Sequence, residues 1–265
     1  TGSPNSFSLA GQGNGGAAGF AKGSADVTLG EGGHAIAMLD RYRDVNLVGS
    51  DADAELLARC RHRLESYIGR FQLLQAWSDE ALAVHEPGTV DLILMDLGIC
   101  RFHFENSARG FSFMRDEPLD MRFNQTEGFP AVDLVNGCSE KELHDLLVRY
   151  GGDRNASANA AAIIRARTRQ PIKTTYQLAR AIIARSPWRG GRRHPATQVF
   201  QALRIAVNDE SDRLGRALDV ASRVLRIGGR LAVIAFQSID DGIVKRFPTL
   251  NSDLRALTRR PEVPG

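Results

Sequence analysis

Short apolar runs alternate with stretches whose apolar positions recur every three or four residues. Residues 25–29 form a brief β-prone run that stops at Gly30-Glu31-Gly32-Gly33, and a helix-compatible stretch follows over 34–43. Residues 46–49 form a second short run, closed by Ser50-Asp51. Residues 54–68 carry helical spacing through Leu56, Leu57, Cys60, Leu64 and Ile68, and 71–74 make a third strand. The run 90–97 (Val-Asp-Leu-Ile-Leu-Met-Asp-Leu) is nearly continuous in apolar residues, as a strand buried on both faces must be. Strands alternating with helices predict a parallel α/β sheet. The alternation then lapses: 101–136 reads as loop with short elements, and 139–150, 156–169 and 174–185 read as helices. It resumes with one long helix over 197–226, stopped by Gly228-Gly229, and a buried strand over 230–236. This predicts a nucleotide-binding-type domain over 24–104 and 196–265, interrupted by a helical insertion over 105–195. Residues 1–23, rich in Gly, Ala, Ser and Asn, read as a flexible tail.

Composition changes this picture at two points. The net charge of +3 hides an asymmetry: residues 154–194 hold ten Lys or Arg and no Asp or Glu, so the remainder is net acidic. A basic segment of this kind fits a polyanionic partner or, more simply, a solvated helical face. The three cysteines, Cys60, Cys100 and Cys138, have a spacing that fits neither a disulfide framework nor a zinc site, so no metal is expected. No apolar run is long enough to cross a membrane as a helix.

A glycine turn after the first strand lets a ligand approach the backbone, because no Cβ intervenes. An acidic residue closing the second strand, about twenty residues on, can accept ribose hydroxyls. Gly30, Gly32, Gly33 and Asp51 stand at that spacing, although a tight βα turn with a surface Asp would read the same way. Asp96 closes the 90–97 run, where open α/β sheets place their ligands. Trp77, just past the third strand, suits either an adenine face or the core.

These residues carry a resemblance to the RsmH (MraW) family of 16S rRNA cytosine-N4 methyltransferases. The matching words are Asp26-Val27-Thr28-Leu29-Gly30-Glu31-Gly32-Gly33-His34, Met95-Asp96-Leu97-Gly98, Arg109-Gly110-Phe111-Ser112-Phe113 and Pro118-Leu119-Asp120-Met121-Arg122. They continue with Asp133-Leu134-Val135-Asn136, His194-Pro195-Ala196-Thr197, Phe200-Gln201-Ala202-Leu203-Arg204-Ile205, Val207-Asn208 and Gly228-Gly229-Arg230-Leu231. The resemblance implies a Rossmann-like class I methyltransferase sheet with a helical insertion, and S-adenosyl-L-methionine as cofactor. By similarity Gly32, Gly33 and His34 touch its methionine part, Asp51 holds the ribose, Trp77 stands beside the adenine, and His103 takes a position commonly held by Gln. Asp96 is the expected acceptor for the reacting amine, with Ser238, Asp240 or Asp241 at the site mouth. The alternative for that last group is an N-cap of a following helix. RNA contacts are expected from Arg165, Arg167, Arg169, Lys173, Arg189, Arg192 and Arg193. Arg109, Arg122 and Arg204 are expected either at RNA or in internal ion pairs.

The chain departs from the family's wording at Ile99-Cys100-Arg101-Phe102-His103-Phe104-Glu105, at Tyr150-Gly151-Gly152-Asp153, and at Phe236-Gln237-Ser238-Ile239-Asp240-Asp241. Terminal family segments also lack counterparts. Two functional expectations follow: methylation of a cytidine in small-subunit ribosomal RNA, or a catalytically reduced methyltransferase fold that binds rRNA during small-subunit assembly with protein partners. The divergence suggests a mitochondrial setting, with the cytoplasm as the other choice. An NAD-dependent oxidoreductase has only the glycine turn and Asp51 in its favour.

Overall fold

The computed structural model describes residues 23–184, 194–251 and 253–258, and the backbone of 5–11. Its sheet runs β4-β3-β2-β5-β6-β1-β7. Five strands are mutually parallel: β2 (Gly23–Asp26), β3 (Asn46–Asp51), β4 (Phe71–Gln75), β5 (Val90–Asp96) and β6 (Leu225–Ala235). β1 (Asn5–Gly11) pairs antiparallel with both β6 and the short β7 (Leu254–Ala256). β2 lies between β3 and β5, so the strand order reverses there, and the crevice at its carboxyl end is where such sheets bind ligands.

The chain divides into two compact units, residues 1–98 with 211–265 and residues 99–210. In the sheet unit, α1 (Gly33–Arg41) and α2 (Ala54–Arg63) bury Ala35, Leu39, Leu57 and Cys60 against Leu29 and Leu47. A second cluster gathers Ile93, Met95, Leu231 and Val233 with Leu82 of α3 (Ser78–Ala83), Leu214, Leu218 and Ala221 of α10 (Glu210–Val224), and Val244 of α11 (Ser238–Leu250). The helical unit comprises α4 (Arg101–Glu105), α5 (Ala131–Gly137), α6 (Glu140–Gly151), α7 (Ala156–Arg169), α8 (Thr175–Ile183) and α9 (Thr197–Val207).

Four sequence expectations are corrected. The 1–23 segment does not read as tail throughout, since 5–11 forms β1; free ladder positions along β6 and β7 supply backbone partners that composition cannot reveal. The predicted long helix over 197–226 is two helices, because Asp209 takes a left-handed φ of 51° and the Asn208 side chain is drawn into hydrogen bonds elsewhere. Gly228-Gly229 lies inside β6 and does not precede it; a Cβ at Gly229 would sit 3.1 Å from the Val90 carbonyl, beside a register irregularity. The unit boundaries fall after 98 and 210, not after 104 and 195, so α9 joins the helices. A close approach explains that last point: the Gln198 amide donates to the Gly151 carbonyl at 3.1 Å, and a Cβ at Gly151 would lie 2.8 Å from the Gln198 carbonyl.

Candidate active site

The site is built on the carboxyl edge of β2, β3 and β5. After β2 the chain turns through Gly30 and Gly32, both left-handed, and enters α1. Gly32 has two reasons to be glycine: its φ of 77°, and the Cys60 Sγ that would lie 2.5 Å from a Cβ. Burial pushes the Cys60 thiol up to about 11, so this cysteine acts as packing beneath the turn. Gly33 is exposed, and a Cβ there would meet nothing within 4 Å, leaving open backbone where α1 begins.

Asp51 anchors this turn to β3. Its Oδ2 accepts the Gly30 N–H and its Oδ1 the Asp53 N–H, both at 2.9 Å. These two bonds fix the orientation of the carboxylate at the end of β3.

Asp96, at the end of β5, is held in place twice. Its N–H donates to Thr28 Oγ1 at 2.6 Å, and its Oδ2 lies 3.2 Å from His34 Nε2. That contact with Asp96 raises the His34 pKa, favouring an imidazolium that donates to the carboxylate. The other oxygen, Asp96 Oδ1, is buried with no partner. Beneath it, Asp26 is 1% exposed; Oδ1 accepts the Thr28 N–H at 3.3 Å, and Oδ2 has no partner. Burial pushes the Asp26 carboxyl up to about 7, opposed by the Thr28 hydrogen bond and His34 and assisted by Asp51 and Asp96. Sequence reasoning did not assign roles to Asp26 and Thr28, although both stand inside the glycine-turn word.

The remaining expected residues separate clearly. Trp77, half-buried just past β4, lies under the Arg213 guanidinium at 4.2 Å. β6 brings Ser238 toward the same edge, since Leu97 N–H donates to the Ile234 carbonyl. Ser238 is exposed at the first residue of α11, and no hydrogen bond joins it to Asp96 among the described residues. Asp240 is 6% exposed in the first turn of that helix. Asp241 pairs with Lys245 at 2.7 Å.

His103 stands on α4. It is buried in the helical unit, its ring 4.9 Å from Phe111 and 4.8 Å from Phe123, with Nδ1 3.2 Å from Cys100 Sγ. The short α4 turns it into an aromatic cluster. Arg109, Arg122 and Arg204 also turn inward. Arg109 is buried and donates to the Phe123 carbonyl at 3.0 Å. Arg122 forks onto Asp120 at 2.8 and 2.9 Å. Arg204 forks onto Glu210 at 2.7 and 2.9 Å and is 6% exposed. The planar forks of Arg122 and Arg204 are each matched by a nearby carboxylate, and Arg109 donates to backbone carbonyls, so all three make internal bonds. Arg165, Arg169 and Lys173 are exposed, whereas Arg167 donates to the Val135 carbonyl at 2.8 Å. Arg189, Arg192 and Arg193 lie outside the described residues.

A parallel sheet whose order reverses at a glycine turn, with one carboxylate closing the adjacent strand and another closing the next, defines a Rossmann-like enzyme for a nucleoside cofactor. The chain belongs to the MraW methylase family, which it matches over residues 22–263, and its cofactor is S-adenosylmethionine. It is 45% identical to the ribosomal RNA small subunit methyltransferase H of Treponema denticola over 224 residues, 83% of this chain and 71% of that protein. The protein of the same name from Methylorubrum extorquens is 42% identical, over 91% of this chain and 70% of its own. That of Acaryochloris marina is 37% identical, over 90% and 79%. The residues on the edge fit the cofactor: open backbone at Gly33, the Asp51 carboxylate fixed at the end of β3, and the acidic Asp96 at the end of β5, suited to a cationic methyl donor.

Proposed function

We propose that this chain methylates the exocyclic N4 of a cytidine in small-subunit ribosomal RNA. The names of the three relatives support the RNA, and one observation carries the chemistry: Asp96 Oδ1, a buried acceptor with no partner beside the glycine turn. When bound, S-adenosylmethionine supplies an electrophilic methyl group. The N4 lone pair is delocalised into the pyrimidine ring and attacks poorly until the amine is polarised and oriented. Asp96 Oδ1 accepts one N4 hydrogen, aiming the lone pair outward, while His34 holds the carboxylate and Thr28 holds the Asp96 backbone. No strong base is required, since the methylated amine sheds its extra proton readily. A stacked and paired base cannot present N4 in this way, so the target nucleotide leaves its helix.

Phosphate contacts come from the outward-facing cations of the helical unit, Arg165, Arg169, Lys173 and Arg180, none of which takes part in an ion pair among the described residues. The acceptor is then small-subunit RNA, free or within the assembling subunit. The intact edge from Asp26 to Asp96 weighs against the catalytically reduced assembly factor. All three relatives are bacterial, which lends a mitochondrial setting no support.

The test is incubation with isotopically labelled S-adenosylmethionine and unmethylated small subunits, followed by nucleoside analysis. N4-methylcytidine formed by the unmodified protein and lost in Asp96→Asn supports the reading. Label in another nucleoside, or none, overturns it.

A further inference from the structure

At the end of β2 the sheet unit buries a carboxyl that the methyl-transfer reading does not use. Asp26 is the last residue of that strand, 1% exposed, and its Oδ2 has no partner. Its Oδ1 accepts the Thr28 N–H at 3.3 Å, and Thr28 Oγ1 in turn accepts the Asp96 N–H at 2.6 Å. One residue thus ties Asp26 to the amine acceptor. Titratable groups act on Asp26 from each element around it. Asp51 closes β3, Asp96 closes β5, His34 stands in the first turn of α1, and Cys60 lies on α2 with Arg63 beside it.

These neighbours leave the carboxyl near a balance point. Burial opposes its ionisation, the Thr28 N–H and His34 favour it, Asp51 and Asp96 oppose it again, and the group is pushed up to about 7. His34 is itself drawn toward its charged form by Asp96, whose Oδ2 lies 3.2 Å from Nε2. Asp26 takes part in no ion pair among the described residues. Two buried carboxylate oxygens without partners, Asp26 Oδ2 and Asp96 Oδ1, therefore belong to one cluster. A bare buried oxygen is tolerated in a neutral acid, or in a carboxylate once a cation arrives.

We propose that, given the cofactor reading above, Asp26 is the reserve counter-charge for the sulfonium: its carboxyl is neutral in the free protein and gives up its proton when the cationic cofactor binds. A positive charge seated beside Asp96 offsets the repulsion between the two carboxylates, and the offset is large in a site closed to water. S-adenosylmethionine and S-adenosylhomocysteine share the amino-acid and adenosine parts and differ in the sulfonium charge. Asp26 therefore discriminates between them. Its anion strengthens the hold on the methyl donor, and it loses its partner once the sulfur becomes a neutral thioether, which favours release of the product cofactor.

The proton can be counted. S-adenosylmethionine and S-adenosylhomocysteine are titrated calorimetrically into the unmodified protein and Asp26→Asn, in buffers of different ionisation enthalpy, with circular dichroism and melting as folding checks. At about pH 6.5 the unmodified protein should release about half a proton per S-adenosylmethionine and close to none per S-adenosylhomocysteine. Asp26→Asn should release close to none with either. Infrared difference spectra of the unmodified protein read the same proton without a substitution: the carbonyl stretch of a protonated carboxyl should vanish with S-adenosylmethionine and stay with S-adenosylhomocysteine. No release, equal release with the two ligands, or a carboxyl band that persists overturns the proposal. So does release retained by a folded Asp26→Asn protein, which would assign the proton to His34. Absence of binding by the unmodified protein would overturn the cofactor reading, and the proposal with it.

Discussion

The two units of this protein dispose of their buried polar groups in opposite ways. Among the described residues, every buried side-chain nitrogen or oxygen without a partner lies in the sheet unit, and Asp26, Ser50 and Asp96 stand at the ends of neighbouring strands on one edge. In the helical unit the buried polar side chains are fully engaged. The Asn208 amide donates to the Met121 and Arg204 carbonyls and accepts the Phe123 N–H, each within 2.9 Å. The Asn136 amide joins α5 to Ile172 through both its oxygen and its nitrogen. Glu117 accepts the Gly110 N–H, where a Cβ would fall 2.3 Å from the Pro118 carbonyl. Buried polar atoms are normally satisfied, because each orphan costs of the order of 1–3 kcal/mol. A protein that satisfies them throughout one unit and leaves two carboxylate oxygens bare at a strand edge in the other has its chemistry at that edge. Family words therefore differ in meaning between units: in the sheet they hold reactive groups, and in the helices they hold the backbone.

The sharpest way to break this contrast is Asp96→Ala. Methyl transfer is expected to fall roughly 10²- to 10³-fold, as for loss of one preorganised polar group at a reacting centre. The melting temperature should hardly move, since the lost carboxylate was not fully bonded; single-turnover rates and calorimetry read the two separately. A large loss of stability with residual activity would reverse the assignment.

Arg204→Ala is the counterpart in the helical unit. It strands Glu210, whose side chain is 15% exposed, and should cost about 3 kcal/mol in denaturant unfolding while leaving the cofactor Kd alone. Weaker RNA binding without loss of stability would return Arg204 to the RNA surface.

Asp26 makes the contrast depend on pH. Its buried carboxyl keeps its proton up to about 7, whereas the unfolded chain releases it near the ordinary value of 3.8. Between those values the native state binds the extra proton, so this group's contribution to stability falls as pH rises through the window. Asp26→Asn removes that dependence. Relative to the unmodified protein it should be stabilised by about 2–3 kcal/mol more at pH 8 than at pH 5, measured from urea midpoints. An equal effect at both pH values would mean that Asp26 is ionised in the native protein.

The smallest expected effect belongs to the surface. Arg165→Ala with Arg169→Ala should lower the slope of log affinity against log salt by about 1–2, weakening all RNA sequences alike. Stability and cofactor binding should stay constant. A change confined to one RNA sequence would show base reading in place of phosphate contact.

Much of the edge was legible in the chain because it is local. A strand, a glycine turn and a closing acid follow from period and spacing, so Gly30, Gly32, Gly33, Asp51 and Asp96 stood out from the residues alone. The burial of His103 and Asp240 was not legible, because the inward or outward turn of a side chain on a helix is set by what packs against it. The arginines show the same limit. One count of basic residues covers outward Arg165 and Arg169, carbonyl-bound Arg167 and buried Arg204.

The alternation of elements, the glycine turn and the kinship with the MraW methylases were written in the chain, because each depends on residues close together or on words in fixed order. Folding alone brought Thr28 and His34 onto Asp96, buried Asp26 among them, and laid Arg213 over Trp77. Those contacts join residues 62, 68 or more positions apart, or depend on exclusion of water, and neither property exists until the sheet has closed.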